Sequence, residues 1–156
     1  MVNIFRAGVV AVVFAAVVLA SSSLCEARTK LNGQTLYVPV YSHIYFGNKD
    51  AKIQLTTTIS IRNTSREGTL QIDRVAYYNT EGKLIRTYVD KPFTMQPLQS
   101  MRYVIKLKDK AGGSGANLIV VWSSEEAIDK PIVEAISLGT GASFGFSFLT
   151  DAVEIE

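Results

Sequence analysis

The amino-acid sequence predicts an all-β fold, an antiparallel β-sandwich of about seven to eight short strands, with a closed barrel as the alternative. Two observations carry this prediction. Apolar residues alternate with polar residues in several segments, which is the repeat of a half-buried strand. Glycine, proline and asparagine separate those segments, and no segment beyond Ala27 shows a helical repeat longer than about two turns.

Two segments show the alternation most clearly. Residues 53–62 read IQLTTTISIR, in which isoleucine and leucine are spaced by polar residues. Residues 101–108 repeat the pattern with arginine and lysine on the second side, so that Lys106, Lys108 and Lys110 are predicted to share one solvated strand face. Each segment is therefore predicted to be a strand with one wet face.

The chain between these two strands predicts a β-hairpin. Residues 70–78 alternate, but the inward phase changes after Asp73 and Arg74, as an inserted bulge residue would cause. The sequence NTEG at residues 79–82 is typical of a type I turn that ends in a left-handed glycine. Residues 83–89 then form the second strand of the hairpin.

The last third of the chain predicts three more strands. The apolar run LIVVW at residues 118–122 indicates a central strand, with Trp122 filling the core. Residues 124–129 predict a short helix, because serine precedes two glutamates there. Residues 132–138 are a strand, and residues 143–150 form another with three phenylalanines on one face: Phe144, Phe146 and Phe148.

The beginning of the chain has the plan of a secretory signal. Arg6 precedes an apolar stretch over residues 7–20, and three serines follow. That stretch is too short to cross a hydrocarbon core of about 30 Å. We expect residues 1–27 to form a cleaved signal helix and residues 28–156 to form one domain that is periplasmic or extracellular. Cys25, the only cysteine, opens the alternative of a lipid anchor.

Charge and residue types exclude several function classes. The formal net charge is only +2, so no nucleic-acid partner is expected. A zinc site needs three or four ligands, and the chain after Ala27 offers no cysteine and no second histidine to pair with His43. We therefore expect no metal, no cofactor and, after cleavage of the signal, no membrane span.

A glycine-rich loop precedes the LIVVW strand. It lacks the third glycine of a dinucleotide fingerprint and the Gly-Lys-Ser/Thr ending of a P-loop, and a strand rather than a helix follows it. We interpret it as a loop that reverses the chain between strands, with a small anion nest as the alternative. Its candidate binding residues are Gly112, Gly113, Ser114, Gly115 and Asn117.

Three tyrosines and the only histidine form a second candidate site. Tyr37, Tyr41 and Tyr45 recur every four residues, and we interpret them as residues that pack in the core and its rim. The alternative is that an extended chain places them on one face as a ladder for a sugar or a partner. His43 is interpreted as a packed structural residue, with a general base as the alternative.

Glu134 is unusual because it lies in an apolar strand. If it is buried it must pair with a cation, and Arg102 and Arg74 are the predicted partners. Either Glu134 or Asp90 is also a candidate carboxylate to act with His43 in a hydrolase.

Four segments together resemble a bacterial family of exported proteins known only as domain of unknown function number 3124. They are YVPVYSHIY at residues 37–45, LTTTISIRNT at 55–64, TYVDKP at 87–92 and GGSGANLIVVW at 112–122. The resemblance implies an export or lipoprotein signal and no assigned reaction. It nominates these positions for testing: Tyr41, His43, Arg62, Asn63, Asp90, Lys91, Gly112, Gly113, Ser114, Gly115, Asn117 and Trp122.

The strand plan without a coherent catalytic set favours a binding module over an enzyme. We expect an exported β-sandwich, immunoglobulin-like in architecture, that binds a protein or glycan partner in the cell envelope. A hydrolase that uses His43 with Asp90 or Glu134 is the first alternative. An accessory or assembly subunit that pairs through its sheet edges is the second.

Overall fold

The computed structural model describes residues 29–47, 50–141 and 144–155. The predicted signal peptide with Cys25, and the predicted strand residue Ser143, lie outside this part of the chain. The described residues form eleven strands and no helix. The strands are β1 (Leu31–Pro39), β2 (His43–Phe46), β3 (Ala51–Arg62), β4 (Leu70–Tyr78), β5 (Leu84–Val89), β6 (Phe93–Met95), β7 (Ser100–Ile105), β8 (Asn117–Ile128), β9 (Ile132–Thr140), β10 (Gly145–Asp151) and β11 (Val153–Glu154).

The strands form two sheets in which the paired strands run antiparallel. The six-stranded sheet has the order β11-β1-β8-β4-β5, and β6 also pairs with β4. The five-stranded sheet has the order β10-β9-β3-β2, and β7 also pairs with β3. Leu118 and Trp122 of the first sheet share one buried cluster with Ile59 and Val133 of the second. The predicted all-β, antiparallel fold is confirmed.

The number of strands exceeds the prediction because the additional strands carry little pattern. β2, β6 and β11 contain 4, 3 and 2 residues, which is too few for a period of two to be recognised. β1 contains Gly33, where its register with β8 shifts, and ends at Pro39. Glycine and proline both weaken a strand pattern in sequence.

The predicted bulge and hairpin are confirmed. The register of β4 against β8 shifts between Ile72 and Arg74, where the inward phase changes. β4 pairs with β5, and the backbone N–H of Gly82 donates to the carbonyl of Asn79 at 2.9 Å. Gly82 has a φ of 74°, which is the left-handed conformation that ends such a turn.

The predicted central strand is also confirmed. β8 lies between β1 and β4, and it extends from Asn117 to Ile128. Leu118, Val120 and Trp122 are buried, while Ile119 and Val121 on the opposite face are half-buried. β8 therefore contributes a continuous row of side chains to the core.

The predicted helix over residues 124–129 is wrong, because β8 continues through most of this segment. The Ser124 hydroxyl, expected to cap a helix, instead donates to the carbonyl of Thr69 at 2.9 Å. The Asn32 side-chain amide donates to the carbonyls of Ser124 and Glu125, each at 3.2 Å. An N-cap contributes only about 1 kcal/mol, and a helix this short nucleates poorly, so these cross-strand bonds prevail.

The predicted lysine face is wrong as well. β7 ends at Ile105, and the Asp109 N–H donates to the Lys106 carbonyl at 2.8 Å in the turn that follows. Leu107 is 50% exposed rather than directed inward. Lys106, Lys108 and Lys110 therefore belong to a turn and a loop, not to one face of a strand.

Candidate functional site

Five aromatic side chains form a continuous row on the inner face of the five-stranded sheet. The ring centroids are 5.5 Å apart for Tyr41 and Phe148, and 6.5 Å apart for Phe148 and Phe146. The row continues through Phe144 at 6.2 Å from Phe146, and Phe46 at 5.8 Å from Phe144. We call these five residues the aromatic shelf.

Glycines in β9 and just after it make room for the shelf. Phe146 lies directly opposite Gly139 in the register of β10 and β9, so both are on one face of the sheet. A Cβ atom at Gly139 would lie 2.5 Å from the Phe146 ring, and a Cβ atom at Gly141 would lie 2.7 Å from the Phe144 ring. Any side chain at these two positions would displace a ring.

The outer end of the shelf is open to solvent. The face of β3 that is buried at Leu55 is exposed at Ala51, whose partner in β2 is Phe46. Phe46 is 56% exposed and Phe144 is 46% exposed. A contiguous exposed group of large apolar rings without a charged member is typical of an interaction surface.

The glycine-rich loop is packed between two parts of the chain. The Gly113 carbonyl accepts from the Ser42 N–H at 2.9 Å, and the Gly112 carbonyl accepts from the Thr80 hydroxyl at 3.0 Å. The Gly115 N–H donates to the same hydroxyl oxygen at 3.0 Å. β8 begins directly afterwards at Asn117, so the prediction of a loop between strands is confirmed. Ser114 lies in this loop and is half-buried.

The three tyrosines do not form a ladder, so that alternative is wrong. Tyr37 is in β1, opposite Ile119 of the six-stranded sheet, whereas Tyr45 is in β2 of the other sheet. Tyr41 lies where the chain crosses between the sheets, and it contacts Phe148. Spacing in sequence places residues on one face only while the strand continues, and β1 ends at Pro39.

His43 is buried at the start of β2 and packs edge-on against Tyr45, with ring centroids 5.3 Å apart. Its Nε2 atom has no hydrogen-bond partner among the described residues. Burial, and secondly the charge of Lys52, lower the pKa of His43 below 6.5. The imidazole is therefore neutral at neutral pH.

This environment predicts a pH dependence of stability. Because the pKa of His43 is lower in the folded chain, the unfolded chain binds the extra proton, and the free energy of unfolding falls as the pH drops below 6.5. The free energy of unfolding stops falling once the pH is below the pKa of His43 in the folded chain, because both states are then protonated. We expect His43→Gln to remove this part of the pH dependence, measured by urea unfolding at several values between about pH 7.5 and pH 5. If the free energy of unfolding changes equally with pH in the wild type and the variant, the prediction is contradicted.

The candidate carboxylates do not lie beside His43. His43 is opposite Gln54 on β3, and Glu134 is opposite Ser60 on the same strand. The six-residue step along β3 from Gln54 to Ser60 spans about 20 Å, so Glu134 is far from His43. Asp90 is exposed with Lys91 in the bend between β5 and β6, at an edge of the other sheet.

Glu134 pairs with a different cation from those predicted. Its Oε1 accepts a hydrogen bond from Nη2 of Arg62 at 3.0 Å, so the predicted partners Arg102 and Arg74 are wrong. Ser60 and Arg62 are two residues apart on one face of β3, which places Arg62 diagonally across from Glu134. The cross-strand register, which the sequence does not display, decides the pairing.

Two further nominated residues are structural. Asn63 is 3% exposed, and its side-chain amide donates to the carbonyls of Gly68 and Gln96 at 2.9 and 3.1 Å. Its Oδ1 accepts from the Ser65 N–H at 3.0 Å, so Asn63 organises the connection after β3. Trp122 is 1% exposed within the core.

Within residues 29–47, 50–141 and 144–155, no group of three or more histidine, cysteine or carboxylate side chains is arranged to hold a metal ion. The same residues include no helix with the length and hydropathy that a membrane span requires.

Comparison with known proteins identifies the family. The family model described as "Protein of unknown function (DUF3124)" matches residues 33–155. Among solved structures, the chain is similar to the crystal structure of Thermotoga maritima 1070, with 16% sequence identity, a TM-score of 0.44, and coverage of 77% of this chain and 92% of that chain. No curated protein matches the chain. The match over residues 33–155 shows that the chain belongs to the DUF3124 family.

Proposed function

We propose that this chain is a non-catalytic exported module that binds a partner protein in the cell envelope through the aromatic shelf. The observation that carries the proposal is the continuous row of five rings, two of which are about half exposed: Phe46 at 56% and Phe144 at 46%. Burial of such rings against a partner would supply most of the binding free energy. Export rests on the secretory pattern of residues 1–27.

The strand beside the shelf favours a protein partner with an extended apolar segment. β10 is at the end of the five-stranded sheet, and its sequence GFSFLTD contains no proline and no charge before its last residue, Asp151. Sheet edges are usually protected by such residues. An extended segment paired with β10 would direct alternate side chains onto the shelf. A glycan would also need hydrogen-bonding side chains between the rings, whereas four of the five shelf residues are phenylalanine.

The proposal includes a sandwich with an immunoglobulin-like arrangement of its two sheets. It is supported by the buried cluster that both sheets share, and by the contact of Tyr88 with Tyr103 across the sheets at 4.8 Å. The hydrolase alternative has less support, because Glu134 forms an ion pair with Arg62. It also lies opposite Ser60 of β3, whereas His43 lies opposite Gln54, at the other end of that strand.

Photo-crosslinking in the native cell tests the proposal. A benzophenone amino acid placed at Phe46 or Phe144 is expected to give a light-dependent adduct of discrete mass outside the cytoplasm, because both rings are exposed at the proposed interface. Leu84 is 44% exposed on β5 and is the matched control position, where that adduct should not form. Because the proposed partner is a protein, protease treatment should degrade the partner captured in this adduct.

A second measurement uses the identified partner. Phe46→Ser with Phe144→Ser should weaken its binding roughly tenfold or more, whereas Leu84→Ser should leave binding unchanged. An adduct removed by glycosidases instead of proteases would favour the glycan. Crosslinking at Leu84 alone, or full binding by the double variant, would rule out the shelf as the interface.

A further inference from the structure

A cleft of about 400 Å³ lies between β5 of the six-stranded sheet and the turn that follows β7 of the five-stranded sheet. β7 pairs with the side of β3 opposite to β9, so the cleft and the β10 edge are on different sides of the molecule. The residues that line the cleft are Arg86, Val104, Lys106, Lys108 and Asp109.

The cleft concentrates positive charge. Three of its five lining residues are cationic and one is acidic, which leaves the cleft with a net charge of +2. That equals the formal net charge of the whole chain, so charges elsewhere balance. Among the described residues, no carboxylate forms an ion pair with Lys106 or Lys108. Cations that converge from two sheets raise the local concentration of anions.

Asp109 holds the cleft in shape and offsets only one of its three cations, Arg86. Its Oδ2 accepts from Nη2 of Arg86 at 3.3 Å, and its Oδ1 accepts from the Ala111 N–H at 3.2 Å. Its own N–H donates to the Lys106 carbonyl at 2.8 Å, which closes the turn that presents both lysines. Asp109 therefore connects the arginine of one sheet to the lysine turn of the other.

The aromatic residues beneath the cleft add no negative charge. The Arg86 guanidinium lies 5.5 Å from the centre of the Tyr88 ring, which in turn contacts Tyr103. Burial raises the pKa of Tyr103 to about 12, and chiefly burial raises the pKa of Tyr88. Both phenols thus stay protonated at neutral pH, and the cation over Tyr88 is positioned by the ring.

We infer that this cleft is a binding site for a phosphate-type oxyanion, held by Lys106 and Lys108 with Arg86 as the third donor. Ammonium groups bind phosphate as point charges, and a guanidinium adds directional N–H donors. The phosphate is either part of a lipid head group or part of a soluble ester. The inference does not depend on the aromatic shelf, because the two sites share no residue.

Titration with inorganic phosphate at low ionic strength, followed by the backbone amide signals of the full exported protein, tests the inference. Saturable shifts are expected at Arg86 and in the turn at residues 106–109. Lys106→Ala with Lys108→Ala should weaken the apparent affinity roughly fivefold to tenfold. Raising the ionic strength from about 0.01 M to 0.15 M should weaken it as well.

The matched control removes two cations elsewhere. Lys30 and Arg66 are exposed, and both are near the end of β8 at Ile128, far along the sheets from the cleft. Lys30→Ala with Arg66→Ala should leave phosphate binding unchanged.

Sedimentation with vesicles distinguishes the two sources of the phosphate group, a lipid head group and a soluble ester. Binding to phosphatidic acid vesicles but not to phosphatidylcholine vesicles supports a lipid phosphate. Shifts with inorganic phosphate and no binding to either vesicle support a soluble ester. No saturable response to either probe, or undiminished binding by the cleft variant, would overturn the inference.

Discussion

Replacing Trp122 by alanine is expected to lower the free energy of unfolding by about 3–5 kcal/mol, the largest effect of any single substitution that we predict. Trp122 is 1% exposed on the central strand β8 and belongs to the cluster shared by both sheets. The alanine variant loses the free energy of burying a large indole and leaves a cavity between the two sheets. Because the strands are fixed by hydrogen bonds within each sheet, the sheets cannot move together to fill that cavity. Urea unfolding followed by circular dichroism measures the loss without relying on the tryptophan.

Trp122→Phe is the control for this substitution. The indole Nε1 is buried without a hydrogen-bond partner among the described residues. A buried unsatisfied donor costs about 1–3 kcal/mol, and phenylalanine removes that donor along with part of the ring. We therefore expect a loss of roughly 2 kcal/mol or less. A loss below about 1 kcal/mol for the alanine variant would show that the indole does not fill the core.

Replacing Gly112 by alanine is expected to destabilise the protein by about 1–3 kcal/mol. A Cβ atom at Gly112 would collide with the Tyr77 hydroxyl, and it would lie 2.8 Å from both the Ser42 hydroxyl oxygen and Cβ of Ala116. Tyr77 and Ser42 are fully buried and their hydroxyl groups hydrogen-bond to each other at 3.2 Å, so neither can move aside freely. The loss is measured by the same urea unfolding.

Two comparisons isolate this steric effect. At Gly145 an added Cβ atom would meet nothing closer than 3.9 Å, so Gly145→Ala should change stability little. Tyr77→Phe removes the colliding oxygen, so Gly112→Ala should cost less in that background than in the wild type. Equal costs in the two backgrounds would mean that Tyr77 is not what restricts residue 112.

This close approach also explains why the glycine-rich loop resembled a ligand site in sequence. Glycine is required both where a backbone approaches a ligand and where it approaches a buried side chain. Here the neighbours are Tyr77 and Ser42 at Gly112, and Thr80 at Gly113 and Gly115. The residues that resemble a phosphate loop therefore pack the loop against the protein itself.

The candidate site was only partly predictable. Alternation in residues 143–150 predicted that Phe144, Phe146 and Phe148 share a face, and the family resemblance nominated Tyr41. Phe46 was missed, because it is in a short strand whose pairing with β3 brings it to the same face. Gly139 and Gly141 were a usable signal, since glycine in or beside a strand often marks the close approach of another group.

The sequence by itself determined the all-β class, the long strands β3, β4, β8 and β9, the bulge in β4 and the hairpin turn at Gly82. These features depend on local patterns of apolar residues and on the conformational freedom of single glycines. Only the tertiary structure decided that residues 124–128 extend a strand, that Arg62 pairs with Glu134, and that Arg86 meets the lysine turn. Each of these depends on hydrogen bonds or side-chain contacts between segments distant in the chain, whose energy exceeds the small local preferences that a sequence displays.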